Sequence, residues 1–145
     1  MKVKSSWVGL FLIAVMLFST FAYAVIQSLY PNQSTTLPDS NIIDYTLDPV
    51  LRDALVQYGA TVVAFEYNLG CNNCVNQKAA LEFFATEYKE QIWLEEVHND
   101  NLDVSTIMIS SVYGEETLVD ANETQIVSSM CKLMTAPPVT CALAN

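Results

Sequence analysis

No charged residue occurs between Lys4 and Asp39, and within that stretch Trp7–Ile26 is almost wholly apolar. Roughly 20 such residues at helical rise span the hydrocarbon core of a bilayer, where backbone polar groups must be satisfied within the helix. Residues 1–26 are therefore expected to form a signal-anchor or transmembrane helix, not part of a folded core. Lys2 and Lys4 hold its N-terminus in the cytoplasm, which places everything after it outside, at a cell surface or in a periplasm-like space. Ala22-Tyr-Ala24 offers a small-x-small cleavage site, so a cleaved, secreted form is the variant of the same reading. The apolar run exceeds the usual signal-peptide core, which favours the uncleaved anchor.

Residues 27–40 change to Gln, Ser, Thr and Asn with Pro31 and Pro38, the composition of a semi-stiff polar tether. Residues 41–145 are then enough for one compact domain and too few for two. Beyond the apolar run, sixteen acidic residues face only Arg52, Lys78, Lys89 and Lys132. Such a balance argues against nucleic acid, whose phosphates require a basic face. Asn32-Gln-Ser34 and Asn122-Glu-Thr124 match the glycosylation sequon, a short pattern that matters only in a competent host.

Within the domain, Asp48-Pro49 reads as a helix N-cap followed by proline at the first helical position. Leu51, Leu55 and Tyr58 follow at helical spacing, and Gly59 suits the stop. Thr61–Tyr67 is apolar on both faces, as in a central strand, and Asn68-Leu-Gly70 breaks it. A helix is expected from Asn72 to about Glu90, with Val75, Ala79, Phe83 and Phe84 toward the core. Gln91–Val97 reads as a second strand, which makes a βαβ unit with a right-handed crossover. Thr106–Ile109 and Glu116–Val119 form a hairpin about Tyr113-Gly114. Asn122 caps a last helix to about Met134, with Ile126, Val127, Met130 and Leu133 inward, and Pro137-Pro138 ends it.

Cys71-Asn-Asn-Cys74 stands between the first long strand and the helix after it. Placed in the first helical turn, these sulfurs face unpaired backbone N–H groups and the positive end of the helix dipole, which favour a thiolate. Two intervening residues allow a small disulfide ring that opens and closes without rebuilding the fold. A Cys71 thiolate can attack a disulfide in another protein, and Cys74 can resolve the mixed disulfide. A bare CxxC also occurs in zinc sites, so its position in the βαβ-ββα order carries the weight.

From about Asn41 to Asn145 the chain resembles the thioredoxin-like superfamily, on the strand and loop Val62–Cys74 and the element order. The resemblance implies a four-stranded mixed sheet flanked by helices. Cys71 is then the exposed nucleophile and Cys74 the buried resolving thiol. A membrane-tethered, exported member would make, break or reshuffle disulfides in other exported proteins, with a membrane protein as its redox partner and no cofactor. The departures are specific. Gly70 stands where thioredoxins usually carry Trp, and Val104-Ser105-Thr106-Ile107 occupies the place of the cis-proline. A non-proline cis peptide costs about 3 kcal/mol, so the Ser105 peptide is expected trans. Gly70, Ser105 and Thr106 thereby become the substrate-docking candidates. The family's buried carboxylate on the central strand is missing at Ala64. Glu66, on the same strand face and nearer the cysteines, is the candidate proton acceptor if buried.

Cys131 and Cys141 lie outside the usual thioredoxin plan. A turn at Pro137-Pro138 brings them together, as a structural staple worth about 2–3 kcal/mol in keeping with an oxidising compartment, or as a second redox pair that relays electrons to the first. Pairing 71 with 74 and 131 with 141 is the least strained of three connectivities. Two other classes compete. One is a redox-inactive binding module whose disulfides are structural. The other is a metal site built from the four sulfurs, or from Cys71, Cys74 and His98; the ten-position separation of the distant pair lacks a compact second knuckle, and no metal site is assigned.

Overall fold

A computed structural model describes residues 13–21 and 36–143. The chain divides into two units, the first ending at Thr36 and the second beginning at Leu37. Residues 13–21 are helical with exposed side chains. Among the described residues no helix is long and apolar enough to cross a membrane. The remainder of the anchor expected over 1–26, and most of the tether expected over 27–40, lie outside the described residues.

The second unit begins with a two-residue strand, β1 (Ile42–Ile43). Helix α1 (Pro49–Gln57) follows, with the Asp48 carboxylate accepting from Val50 N at 2.9 Å and proline at the first turn. Leu51 and Leu55 are buried, whereas Tyr58, expected on the same face, is exposed just past the helix end. The chain turns at Gly59, whose φ of +89° is the left-handed region that glycine enters without a Cβ clash. Strand β2 (Thr61–Tyr67) then leads through the cysteine loop to α2 (Cys74–Glu87) and β3 (Ile92–His98). The hairpin β4 (Thr106–Ser111) and β5 (Gly114–Val119) leads to α3 (Glu123–Leu133). A reciprocal capping box opens α3: Asn122 Oδ1 accepts from Gln125 N, and Gln125 Oε1 accepts from Asn122 N, both at 3.0 Å. A short 3₁₀ turn, Val139–Leu143, follows the prolines.

The sheet order is β1-β3-β2-β4-β5. Strands β1, β3 and β2 are parallel, and β4 and β5 join antiparallel. This is five strands, not the four expected. The addition is β1, too short to show alternation and held by tertiary bonds: Asn41 Nδ2 donates to Ala85 O at 2.7 Å and to Ile92 O at 3.0 Å. Helices cover both faces of the sheet. Val63, Phe65, Leu94, Ile107 and Ile109 pack with α2 and α3, while Val62 packs with Leu51 and Leu55 of α1. Because strand side chains alternate, each β2 or β3 residue is assigned to one of these two sides.

The α2 face requires a correction. Val75, Ala79 and Phe83 are exposed; Phe84 is buried as expected, together with Cys74, Gln77, Leu81 and Ala85. Cys74 is the first helical residue and Cys71 precedes the cap, so only one of the two cysteines lies in the first turn.

Candidate functional site: a disulfide at the start of helix α2

Strand β2 delivers the chain to Asn68, and one side chain there organises the loop. Asn68 Oδ1 accepts from Gly70 N at 2.8 Å, and its carbonyl accepts from Cys71 N at 3.1 Å. Its amide donates to Asp100 O at 3.2 Å and Leu102 O at 3.0 Å, tying the cysteine loop to the segment after β3. In the sequence Asn68 reads as a strand breaker, and asparagine two places before glycine also marks a turn that its side chain can close.

Cys71 and Cys74 are joined, with Cα atoms 5.4 Å apart. Cys74 is 5% exposed and packs in the core with Phe65 and Ala121, whereas Cys71 is half-buried at its edge. The cap residue of α2, Asn73, makes no side-chain bond to the helix and instead donates to Asp120 Oδ1 at 3.2 Å. No side chain of the cap therefore competes for the first-turn N–H groups, which favour negative charge on the adjoining sulfurs. One turn on, buried Gln77 donates from Nε2 to Ala121 O at 2.7 Å and fastens the helix start to the β5–α3 connection.

The docking candidates lie at the same end of the sheet. Gly70 is exposed in the cysteine loop. Thr106, half-buried, stands in register with Glu66 of β2 and Val119 of β5. Ser105 precedes it, fully buried, its carbonyl accepting from Asp120 N at 3.0 Å and its hydroxyl without a partner. There is no cis peptide among the described residues.

Glu66 does not meet the condition set for a proton acceptor. It is exposed, and alternation puts it on the α1 side of the sheet, opposite Phe65 and Cys74. The buried carboxylate on the cysteine side is Glu96 of β3, in register with Phe65. Lys78, four residues after Cys74, forms an ion pair with Glu96 Oε2 and lies 5.6 Å from the centre of the Tyr67 ring. Tyr67 stacks on Phe65 at 4.9 Å, and Glu96 Oε1 has no partner.

The hydrogen bond that Lys78 donates to Glu96 holds the Lys78 pKa above the ordinary lysine value, against burial and with help from the charges of Glu96, Tyr67 and Glu82. A raised pKa stabilises the fold below the ordinary lysine value of about 10.4, and that contribution is lost as pH rises past the folded-state value. Lys78→Met is accordingly expected to flatten the alkaline limb of stability against pH, followed by urea unfolding between pH 9 and 12. An unchanged limb would count against this coupling.

The second pair, Cys131 and Cys141, has Cα atoms 5.4 Å apart. Cys131 lies about 13 Å along α3 from the cap at Asn122, and that cap lies next to Ala121 at the first disulfide. It also sits in the last turn, where the helix dipole disfavours a thiolate. The four sulfurs form two separate pairs, and His98 instead pairs with Asp100 at 3.1 Å. Among the described residues no three His, Cys, Asp or Glu side chains converge as metal ligands.

No family model and no curated protein matches this chain. Among solved structures it is similar to a redox protein from Chlamydomonas reinhardtii, with a TM-score of 0.52 at 18% sequence identity. The likeness covers 77% of this chain, which spans 42% of that structure, and at such identity it is a likeness of fold.

Proposed function

We propose that the domain exchanges thiols and disulfides with exported proteins through Cys71 and Cys74, on a thioredoxin-like scaffold. The observation that carries this reading is the asymmetry of the pair: a half-buried Cys71 bonded to a buried Cys74 at the start of a helix with no side-chain cap. In the reductive direction the Cys71 thiolate attacks a client disulfide, forms a mixed disulfide and releases one client thiolate. Cys74 then loses its proton and attacks Cys71 Sγ, which releases the second client thiolate and closes the 71–74 bond. Two electrons and two protons pass to the client; the reverse sequence oxidises a client dithiol. A fold shared with a protein described as a redox protein is compatible with this chemistry. Lys2, Lys4 and the apolar run Trp7–Ile26 support a membrane-tethered domain outside the cytoplasm. Protease protection of the full chain in sealed vesicles tests that placement separately.

Cys74→Ala tests the chemistry. With the resolving thiol removed, the reduced variant should hold oxidised clients as mixed disulfides that survive non-reducing electrophoresis and vanish on reduction. Cys71→Ala/Cys74→Ala should capture none. Equal capture by both variants, or a reduction potential far below about −300 mV, would identify a static structural bond and a redox-inactive module.

A further inference from the structure

Helix α2 carries two apolar stripes, and only one is used by the core. Its buried stripe runs Cys74, Gln77, Leu81, Phe84 and Ala85. The other leaves Val75 76% and Phe83 64% exposed, and Leu69 in the cysteine loop is 78% exposed. Between α2 and α3 lies a groove of about 380 Å³, with Ala79, Ala80, Phe83, Phe84 and Val127 among its walls and Glu123 its one charged side chain. The small Ala79 and Ala80, midway along α2, leave room beside it. Phe83 stands edge-on to Phe84, ring centres 6.0 Å apart, at the far end. Both helices begin at the disulfide end of the sheet, and the groove starts between Asn76, two residues after Cys74, and Glu123, the first residue of α3, and leads away from that end.

The charges select what can lie there. Arg52, Lys78 and Lys132 are each held in ion pairs, with Glu95, Glu96 and Glu116. Lys89 lies beyond the far end of α2. Asp103, Asp120 and Glu123 are exposed on the segments that converge at the disulfide end. The exposed side-chain charge around the mouth of the groove is therefore acidic, which draws cationic segments and repels acidic ones.

Distance sets the register. Nine residues separate Cys74 from Phe83, about 13 Å along the helix axis, and four residues of extended chain cover the same span. Glu123 is the first residue of α3, two places after Ala121, whose carbonyl accepts from Gln77 one turn past Cys74. We infer that this groove seats an extended client segment with Lys or Arg within about two residues of the reacting cysteine and an aromatic or aliphatic side chain about four residues from it. The inference rests on the exchange reading above and adds to it a class of client.

Kinetics on the full chain, with the 71–74 pair kept reduced by a dithiol reductant whose background rate is subtracted, test it. The probes are synthetic peptides whose single cysteine is disulfide-bonded to a chromogenic thiol, with Lys or Glu at the second position after the cysteine and Phe or Ala at the fourth. Hydroxyethyl disulfide serves as a probe that cannot reach the groove. The Lys/Phe peptide should react about tenfold faster than its Glu or Ala counterparts. Phe83→Ala should remove the Phe advantage, and Glu123→Gln should reduce the Lys advantage, with neither changing the rate on hydroxyethyl disulfide. Fluorescence anisotropy of the same peptides, with Ser replacing Cys, should rank their affinities alike. Equal rates and affinities across the peptides, with normal turnover of hydroxyethyl disulfide, overturn the groove assignment and leave the exchange reading standing. If no disulfide is turned over, the exchange reading fails, and the anisotropy ranking still decides for or against the groove.

Discussion

Cys71→Ser should abolish exchange on any disulfide, by at least about a thousandfold, because under the proposed exchange an alcohol replaces the group that would form the covalent intermediate. The matching change at Cys74 should behave differently. Cys74 is 5% exposed and belongs to the same buried cluster as Phe65 and Ala121, so it offers far less surface to a client sulfur than Cys71. Cys74→Ser should therefore keep the first, single-turnover attack by Cys71 and lose only multiple turnover. Stopped-flow release of a chromogenic thiol separates the two phases. Both variants lose the same four-residue ring, which the entropy model values at about 2 kcal/mol. Equal losses of stability in urea thus serve as the control that neither variant is simply unfolded. Retained single-turnover attack in Cys71→Ser would mean that the buried sulfur is the nucleophile and would reverse the roles assigned here.

How far these roles could be read in the chain differs by residue. The strand Thr61–Tyr67, the cap at Asp48 and the box at Asn122 were legible because the cause is local: alternation, a capping oxygen, proline at a first turn. The rotation of α2 was not. Val75, Ala79 and Phe83 keep a perfect fourfold spacing, yet the helix turns that stripe outward. The disulfide decides the matter, because Cys74 must face inward beside the core, and that carries Gln77, Leu81, Phe84 and Ala85 with it. β1 depends on partners some fifty residues away, Ala85 and Ile92, which no local window contains.

The same contrast holds for the acids. Glu95 and Glu96 are neighbours in the middle of a strand, so one must enter each face, and each must find a cation there. Arg52 and Lys78 are those cations. Glu66 is not such a buried acid, whereas the position of Glu95 and Glu96 at the centre of Ile92–His98 is a signal that a sequence carries.

The second large effect follows from Glu95. It is 0% exposed, and Arg52 grips both carboxylate oxygens, Nε to Oε1 at 3.1 Å and Nη2 to Oε2 at 2.6 Å. The two-pronged contact joins α1 to the sheet face opposite Cys74. Arg52→Met removes the cation and leaves a buried carboxylate without its partner, a change that costs about 3–5 kcal/mol. Against a total of about 5–15 kcal/mol for a domain, this is a large fraction and should appear as a marked fall in the urea midpoint. Arg52→Met/Glu95→Leu should recover most of the loss, since the cost lies in the orphaned charge and not in the missing pair. Lys132→Met removes the exposed partner of Glu116, 3.4 Å away, and should shift stability by less than about 1 kcal/mol. The exchange rate of folded Arg52→Met should stay at the wild-type value, because the ion pair and the disulfide lie on opposite sides of the sheet. A single-variant loss below about 1 kcal/mol would show that Glu95 reaches water when Arg52 leaves, and that α1 is less firmly seated than its buried carboxylate implies.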